Sequence, residues 1–279
     1  MKKKIAVLSL SGGMDSTCLL THLLRNEYYD KVYCISFNYG QKHNVELERA
    51  QANVQYIRNE EHRKWFKEGK SEDYESKIIS HKIVDLSSIM GMFNSALTSE
   101  NVKVPEGHYS EENMKATVVP NRNAIFSSII YGLALSLSKE FDTAVDISLG
   151  IHSGDHDIYP DCRPEFRDAL EHAFKIGNWD SERVSYYTPY LTGNKTTILQ
   201  DALENCKVLG IDFDKVLANT ITSYNPDAKG RSSGKSGSDI ERVEAFINIG
   251  RKDPIAYQQS WEEVVEHAKT ILNEKNSNL

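Results

Sequence analysis

The chain has 279 residues, 39% hydrophobic and 26% charged, with a formal net charge of −7; this is the composition of an ordinary soluble protein, large enough for one α/β domain or for a domain with an appendage. The negative balance weighs against a broad nucleic-acid surface, which needs clustered Lys and Arg, and no run approaches the ~20 apolar residues of a membrane span. Cys18, Cys34, Cys162 and Cys206 are scattered without CxxC spacing, which argues against a disulfide framework or a zinc knuckle and makes the cytoplasm the expected compartment.

Residues Ile5 to Leu10 form a continuous apolar run, as in a strand buried on both faces of a parallel sheet. The Lys-rich start imitates a signal peptide, but its apolar stretch stops at a glycine loop. Ser11, Gly12 and Gly13 let a ligand approach the backbone closely, and from Asp15 a helical stripe of Leu19, Leu20, Leu23 and Leu24 begins. A strand, a glycine turn and a helix N-terminus in succession aim several N–H groups at one spot with the helix dipole behind them, an anion site best suited to phosphate. The plainer reading is a tight turn with Asp15 or Ser16 as N-cap. The loop is not a Walker A motif, and neither is Gly230 to Ser236, which is a residue short and follows no apolar strand.

Lys31 to Phe37 reads as a second buried strand. Tyr39, Gln41, His43 and Glu46 follow it at the end of a parallel strand, where open α/β sheets bind ligands. Residues 58–76 are highly charged, with Trp65, Phe66 and Tyr74 interspersed; they read as an inserted helical or mobile segment, either a solvated elaboration or a partner surface. Lys77 to Leu86 restores strand character. A long connection containing Pro105, Gly107 and Tyr109 then has the length of a segment that covers a site.

Thr117 to Asn123 launches an apolar helix through about Leu137, capped by Asn121 or a neighbour, with Arg122 placed to offer a phosphate a planar fork of donors. Thr143 to Leu149 is the next strand. It runs into Gly150 to Asp157 and then Tyr159 to Phe166, a loop whose carboxylates, tyrosine and arginine suit a polar heterocycle better than a metal. Lys195, in the first turn of a later helix, is poorly placed for the helix dipole unless it faces an anion. Trp261 to Leu272 is a final amphipathic helix.

Ser11-Gly-Gly-Met-Asp-Ser16 resembles the SGGxDS loop of the PP-loop ATP pyrophosphatases. Together with Tyr39-Gly-Gln-Lys-His43 and Glu46, Val119-Pro-Asn-Arg-Asn123, Gly150 with Asp155, Tyr159 to Phe166, and Lys195, it resembles the motif set of the QueC family of 7-cyano-7-deazaguanine synthases. The resemblance implies an α/β fold with a five-stranded parallel sheet of adenine nucleotide α-hydrolase type, a homodimer, and the use of ATP and Mg2+. Residues 1–219 would form the PP-loop domain, with 58–76 inserted, and 220–279 a small C-terminal helical region.

The reaction implied is adenylation of the carboxylate of 7-carboxy-7-deazaguanine, attack by ammonia to give the amide, and dehydration through a second adenylation to the nitrile. By resemblance Ser9, Ser11, Gly12, Gly13, Asp15, Ser16, Thr17, Arg122 and Gly150 bind ATP, with Mg2+ near Asp15. Asp15, Arg122 and Lys195 carry the chemistry, and Lys195, from its position, stabilises charge at the pentavalent phosphorus. Tyr39, Gln41, His43, Glu46, Asp155, Tyr159, Asp161 and Arg163 bind substrate. Family members carry four zinc-binding cysteines in the C-terminal region, where this chain has Ser223, Ser233, Ser236 and Asp239. Hydroxyls are poor zinc ligands, so no zinc is expected and Ser223 to Ser238 reads as a flexible Gly/Ser-rich segment. Two other readings stay open: a paralogue that stops at the amide or conjugates the deazaguanine to an amine of a partner protein, and a non-catalytic nucleotide-binding scaffold.

Overall fold

The computed structural model describes residues 4–41, 45–69, 74–93, 95, 118–152, 159–223, 226–227 and 229–277. Five strands, β1 (Lys4–Ser9), β2 (Tyr29–Asn38), β3 (Ile78–Asp85), β4 (Val145–Ser148) and β5 (Val184–Tyr187), pair in parallel in the order β3-β2-β1-β4-β5. Side chains alternate between the faces of a strand, so the apolar run of β1 feeds two cores. Ala6 and Leu8 join α1 (Met14–Arg25) and α6 (Lys195–Leu209) on one face, while Ile5 and Val7 meet α4 (Arg122–Phe141) on the other. The chain leaves β1 for β2 on one side and reaches β4 on the other. The crevice beyond the C-terminal ends of β1 and β4 is therefore the topological switch point where such sheets bind ligands.

Several elements differ from the sequence reading. The N-cap of α1 is Gly13, with no side-chain cap, so neither Asp15 nor Ser16 caps it. Asn121 is the N-cap residue of α4, but it sits in the left-handed region at φ 58° and makes no side-chain cap bond; a capping oxygen reaches the first-turn amides from extended backbone. α4 is 20 residues long and apolar enough, by length and composition, to cross a membrane. Its Ile130, Tyr131, Ala134 and Leu137 are buried with β1 and β4, which makes it a core helix of the sheet.

The charged stretch that starts at residue 58 is helical through Lys67, where it forms the second half of α2 (Val45–Lys67). Its inner side is tied down: Arg58 donates to the carbonyls of Ile78 and Ile79 at 2.7–3.1 Å, and Glu61 accepts from Tyr74 and Ser76 at 2.9 and 2.6 Å. Phe66 is left half exposed. The connection holding Pro105, Gly107 and Tyr109 lies outside the described residues.

Toward the C-terminus, α8 (Gly237–Asn248) inserts Ala245 and Phe246 into the core of α1 and α6. Its Ile240 and Val243 pack on Val264 and Ala268 of α9 (Trp261–Ser277). All four cysteines are buried free thiols.

Candidate active site

The turn after β1 is built by its own small residues. Gly12 has φ +87°, and a Cβ there would lie 2.0 Å from the carbonyl oxygen of Glu46, so the first turn of α2 closes onto a position only glycine fits. Ser11 and Ser16 brace the loop: their hydroxyls are 2.9 Å apart, Ser11 N–H donates to Ser16 Oγ at 3.2 Å, and Gly13 N–H donates to Ser11 Oγ at 3.2 Å. With no side-chain cap at Gly13, the first-turn amides of α1 face the crevice, the arrangement that binds phosphate. Gly150, at the exit of β4, packs against that turn; a Cβ on it would meet Ser16 N at 3.0 Å.

Lys195 resolves the conflict with the helix dipole. Asn194 caps α6 and forms a capping box with Thr197, which turns the lysine inward until it is only 6% exposed. Its Nζ lies 3.2 Å from Asp15 Oδ2, 3.3 Å from Glu241 Oε2 and 2.9 Å from His152 Nε2. Burial alone would raise the pKa of Asp15, but the Lys195 ammonium and the His152 ring outweigh it and hold the carboxyl well below the usual range. The other oxygen, Asp15 Oδ1, is buried without a hydrogen-bond partner among the described residues. His152 and Glu241 are missing from the sequence-derived set. They lie 43 and 46 positions from Lys195, and the group comes together only where α1, the segment after β4, α6 and α8 meet.

Around this group the crevice opens into two lobes of about 220 and 240 Å3. Ser9, Ser11, Gly13, Asp15 and Arg122 belong to both, with Asn123 and Phe126. One lobe adds Ser16, Gly150, Asp161 and Arg167; the other adds Tyr39, Gln41, Glu46 and Lys195. The guanidinium of Arg122 lies 5.7 Å from the Tyr39 ring centroid. Burial pushes the Tyr39 hydroxyl up to about 12 and the Glu46 carboxyl up to about 7, the latter despite Arg122 nearby. Gln41 braces the loop after β2, accepting from Tyr39 N–H at 2.9 Å and donating to the Phe37 carbonyl at 3.3 Å.

Other expected residues are placed differently. Tyr159 is buried in a small cluster with Cys162, Val118 and Ile151 and lines neither lobe. Thr17 is fully buried inside α1, and neither it nor Gly12 nor Arg163 lines either lobe. His43 and Asp155 lie outside the described residues. Arg167, which the sequence reading passed over, enters the lobe of Asp161 from α5 (Pro164–Gly177) while donating to Thr188 Oγ1 at 2.7 Å.

The family model for "Queuosine biosynthesis protein QueC" matches residues 5–250. The chain belongs to the QueC family. A protein named 7-cyano-7-deazaguanine synthase from Marinomonas sp. (strain MWYL1) is 41% identical over 254 residues, 91% of this chain and 98% of the relative. Proteins of the same name from Hahella chejuensis and Caldicellulosiruptor saccharolyticus are each 40% identical over 253 residues, 91% of this chain and 93% and 95% of theirs.

Of the four positions where the QueC resemblance expects cysteines, three are serines in this chain and converge on the fourth, Asp239. Asp239 Oδ2 accepts from Ser223 Oγ at 2.9 Å, Ser233 Oγ at 3.1 Å and Ser236 N–H at 3.2 Å, while Oδ1 accepts from Ser232 Oγ at 2.5 Å. Ser236 caps α8 by accepting from Asp239 N–H at 3.2 Å. These residues are all buried, which corrects the expectation of a flexible Gly/Ser-rich segment: composition favoured flexibility, but each hydroxyl has a fixed acceptor.

Proposed function

We propose that this member of the QueC family is an ATP-dependent ligase that converts 7-carboxy-7-deazaguanine to 7-cyano-7-deazaguanine with ammonia. The observation that carries the reading is Lys195 paired with Asp15 beside the open first turn of α1, where the two lobes meet. A carboxylate does not react with ammonia until one of its oxygens becomes a leaving group. In the proposed reaction the substrate carboxylate attacks the α-phosphorus of ATP, pyrophosphate leaves, and ammonia displaces AMP to form the amide. The amide oxygen then attacks the α-phosphorus of a second ATP with loss of pyrophosphate and a proton, and elimination of AMP with the second N–H proton gives the nitrile.

The amides of the 11–16 loop bind the departing pyrophosphate. Arg122 and Lys195 neutralise charge as it builds on the phosphorus oxygens. The heterocycle is assigned to the lobe of Asp161 and Arg167, and the nucleoside to the lobe of Tyr39, Gln41 and Glu46. Mg2+ fits at Asp15, an ionised carboxylate with one buried oxygen lacking a hydrogen-bond partner; a hard cation held by one carboxylate and substrate phosphates is a common arrangement, and it would lower the charge repulsion met by the attacking carboxylate.

Mass spectrometry after incubation with ATP, Mg2+, ammonia and the acid tests this. The nitrile should form with two AMP released per product, and Asp15→Ala should abolish AMP release without unfolding the protein. Accumulation of the amide with one AMP, or no AMP at all, refutes the full reaction.

A further inference from the structure

The resemblance implies a zinc clip in the C-terminal region, and the residues present do not fit one. Oxygen ligands held at about 2.1 Å by a tetrahedral zinc stand roughly 3.4 Å apart. Ser223 Oγ and Ser233 Oγ instead lie 2.9 and 3.1 Å from Asp239 Oδ2, at hydrogen-bond distance. A carboxylate offers about four lone-pair sites, and Asp239 accepts from three hydroxyls and one backbone N–H, three of the four donors meeting at Oδ2. Among the described residues no group of three or more His, Cys, Asp or Glu side chains is placed to hold a metal.

We propose that Asp239 is a positioning residue for ATP: a carboxylate-centred clip that stands in for the metal and fixes one wall of the nucleotide pocket. The connection is short and continuous. Ser236, which caps α8, lies 3.0 Å Oγ to Oγ from Ser238, and Ser238 donates to the Thr222 carbonyl at 2.8 Å. Ser238, Thr222 and Ile221 line the lobe that holds Glu46 and Lys195. Ile221 N–H then donates to the Gly12 carbonyl at 3.2 Å, so the clip reaches the phosphate loop itself. Glu241, two residues beyond Asp239 on the same helix, is the group that meets Lys195 at 3.3 Å. Four donors meet the Asp239 carboxylate in the first turn of α8, the end of a helix that favours an acidic side chain.

The clip rests on the reading of this pocket as an ATP site, and its test reads nucleotide binding separately from product. Asp239→Asn keeps the shape but turns one acceptor oxygen into a donor facing hydroxyls that also donate. Calorimetric binding of a non-hydrolysable ATP analogue to the whole protein should weaken about tenfold, and KM for ATP should rise in parallel while kcat at saturating ATP stays within about threefold. A merely structural loss would lower kcat by removing active molecules and leave KM unchanged; that result overturns the proposal. If Asp239→Asn does not fold, Ser232→Ala, which removes the 2.5 Å bond to Oδ1, is measured in the same way. The wild-type protein should melt at the same temperature with and without a chelator, and one zinc per chain with a chelator-dependent melt overturns the clip. If the wild-type protein binds the analogue but forms neither amide nor nitrile, the ligase reading fails and the clip stands.

Discussion

Arg242 and Asp253 form the most completely buried ion pair among the described residues, with both side chains 0% exposed. Arg242 Nε donates to Asp253 Oδ2 at 2.6 Å and Nη2 to Oδ1 at 2.9 Å, while Nη1 reaches Thr220 and Thr222 at 2.8 and 3.0 Å. Burial works against the guanidinium charge, and Asp253 more than restores it. Arg242→Met keeps most of the volume but strands Asp253 with only Tyr257 OH at 2.8 Å and Ile255 N–H at 3.2 Å as donors in the described structure. Removing one partner of a buried pair costs about 3–5 kcal/mol. At roughly 2–4 °C per kcal/mol for a chain of this size, the melting temperature should fall by about 10 °C. The paired variant Arg242→Met/Asp253→Leu no longer buries a lone charge, so its loss should be smaller than the sum of the single losses by about 2 kcal/mol. Urea denaturation followed by circular dichroism measures all four corners of this cycle. A cost below about 1 kcal/mol for Arg242→Met, or strict additivity, would show that Asp253 is not stranded and refute the reasoning.

Gly12→Ala forces a side chain into left-handed backbone with its Cβ 2.0 Å from the Glu46 carbonyl oxygen; a loss of about 2 kcal/mol or more and of nucleotide binding is expected by thermal melt and calorimetry, and normal binding would refute the loop geometry. Glu46, pushed up to about 7 by burial, keeps its proton in the folded state over a range where the unfolded chain, with a pKa near 4.5, has lost it. The folded protein then binds more protons, so Glu46 makes stability fall as pH rises from about 4.5 to 7. Glu46→Gln should remove that loss, at most about 3 kcal/mol. Its gain in melting temperature over the wild type should therefore grow across that window and be constant above it, and a gain independent of pH would contradict the burial of this carboxyl.

The strands and the glycine turn after β1 were legible because they are encoded locally. The apolar run of Ile5 to Leu10 needs no partner to read as a buried strand, and the glycine at position 12 announces backbone that other residues avoid. That residues 58–67 continue α2 was not legible, because hydropathy reports the solvent-facing side of a long helix and not its continuity; Arg58 and Glu61, which tie that helix to the segment leading into β3, look like any other surface charges. The burial of Tyr159 was not legible for a related reason: an aromatic residue in a ligand-rich loop can pack inward as well as outward, and its neighbour in space, Val118, is 41 positions away.

By itself the sequence determined the parallel α/β architecture and the tight glycine turn at residues 11–13, since each depends on periodicity or on side-chain size at adjacent positions, while the family was legible as a resemblance carried by a set of short motifs. Only the tertiary structure decided what Lys195 faces, because its partner Asp15 is 180 positions away and Glu241 arrives on a different helix. It also decided that Ser223, Ser233 and Ser236 gather on Asp239. Lost thiolates are visible in a sequence, but the convergence of four donors on one buried carboxylate is a matter of distances, and these exist only once α8 has packed against the turn at residues 220–223.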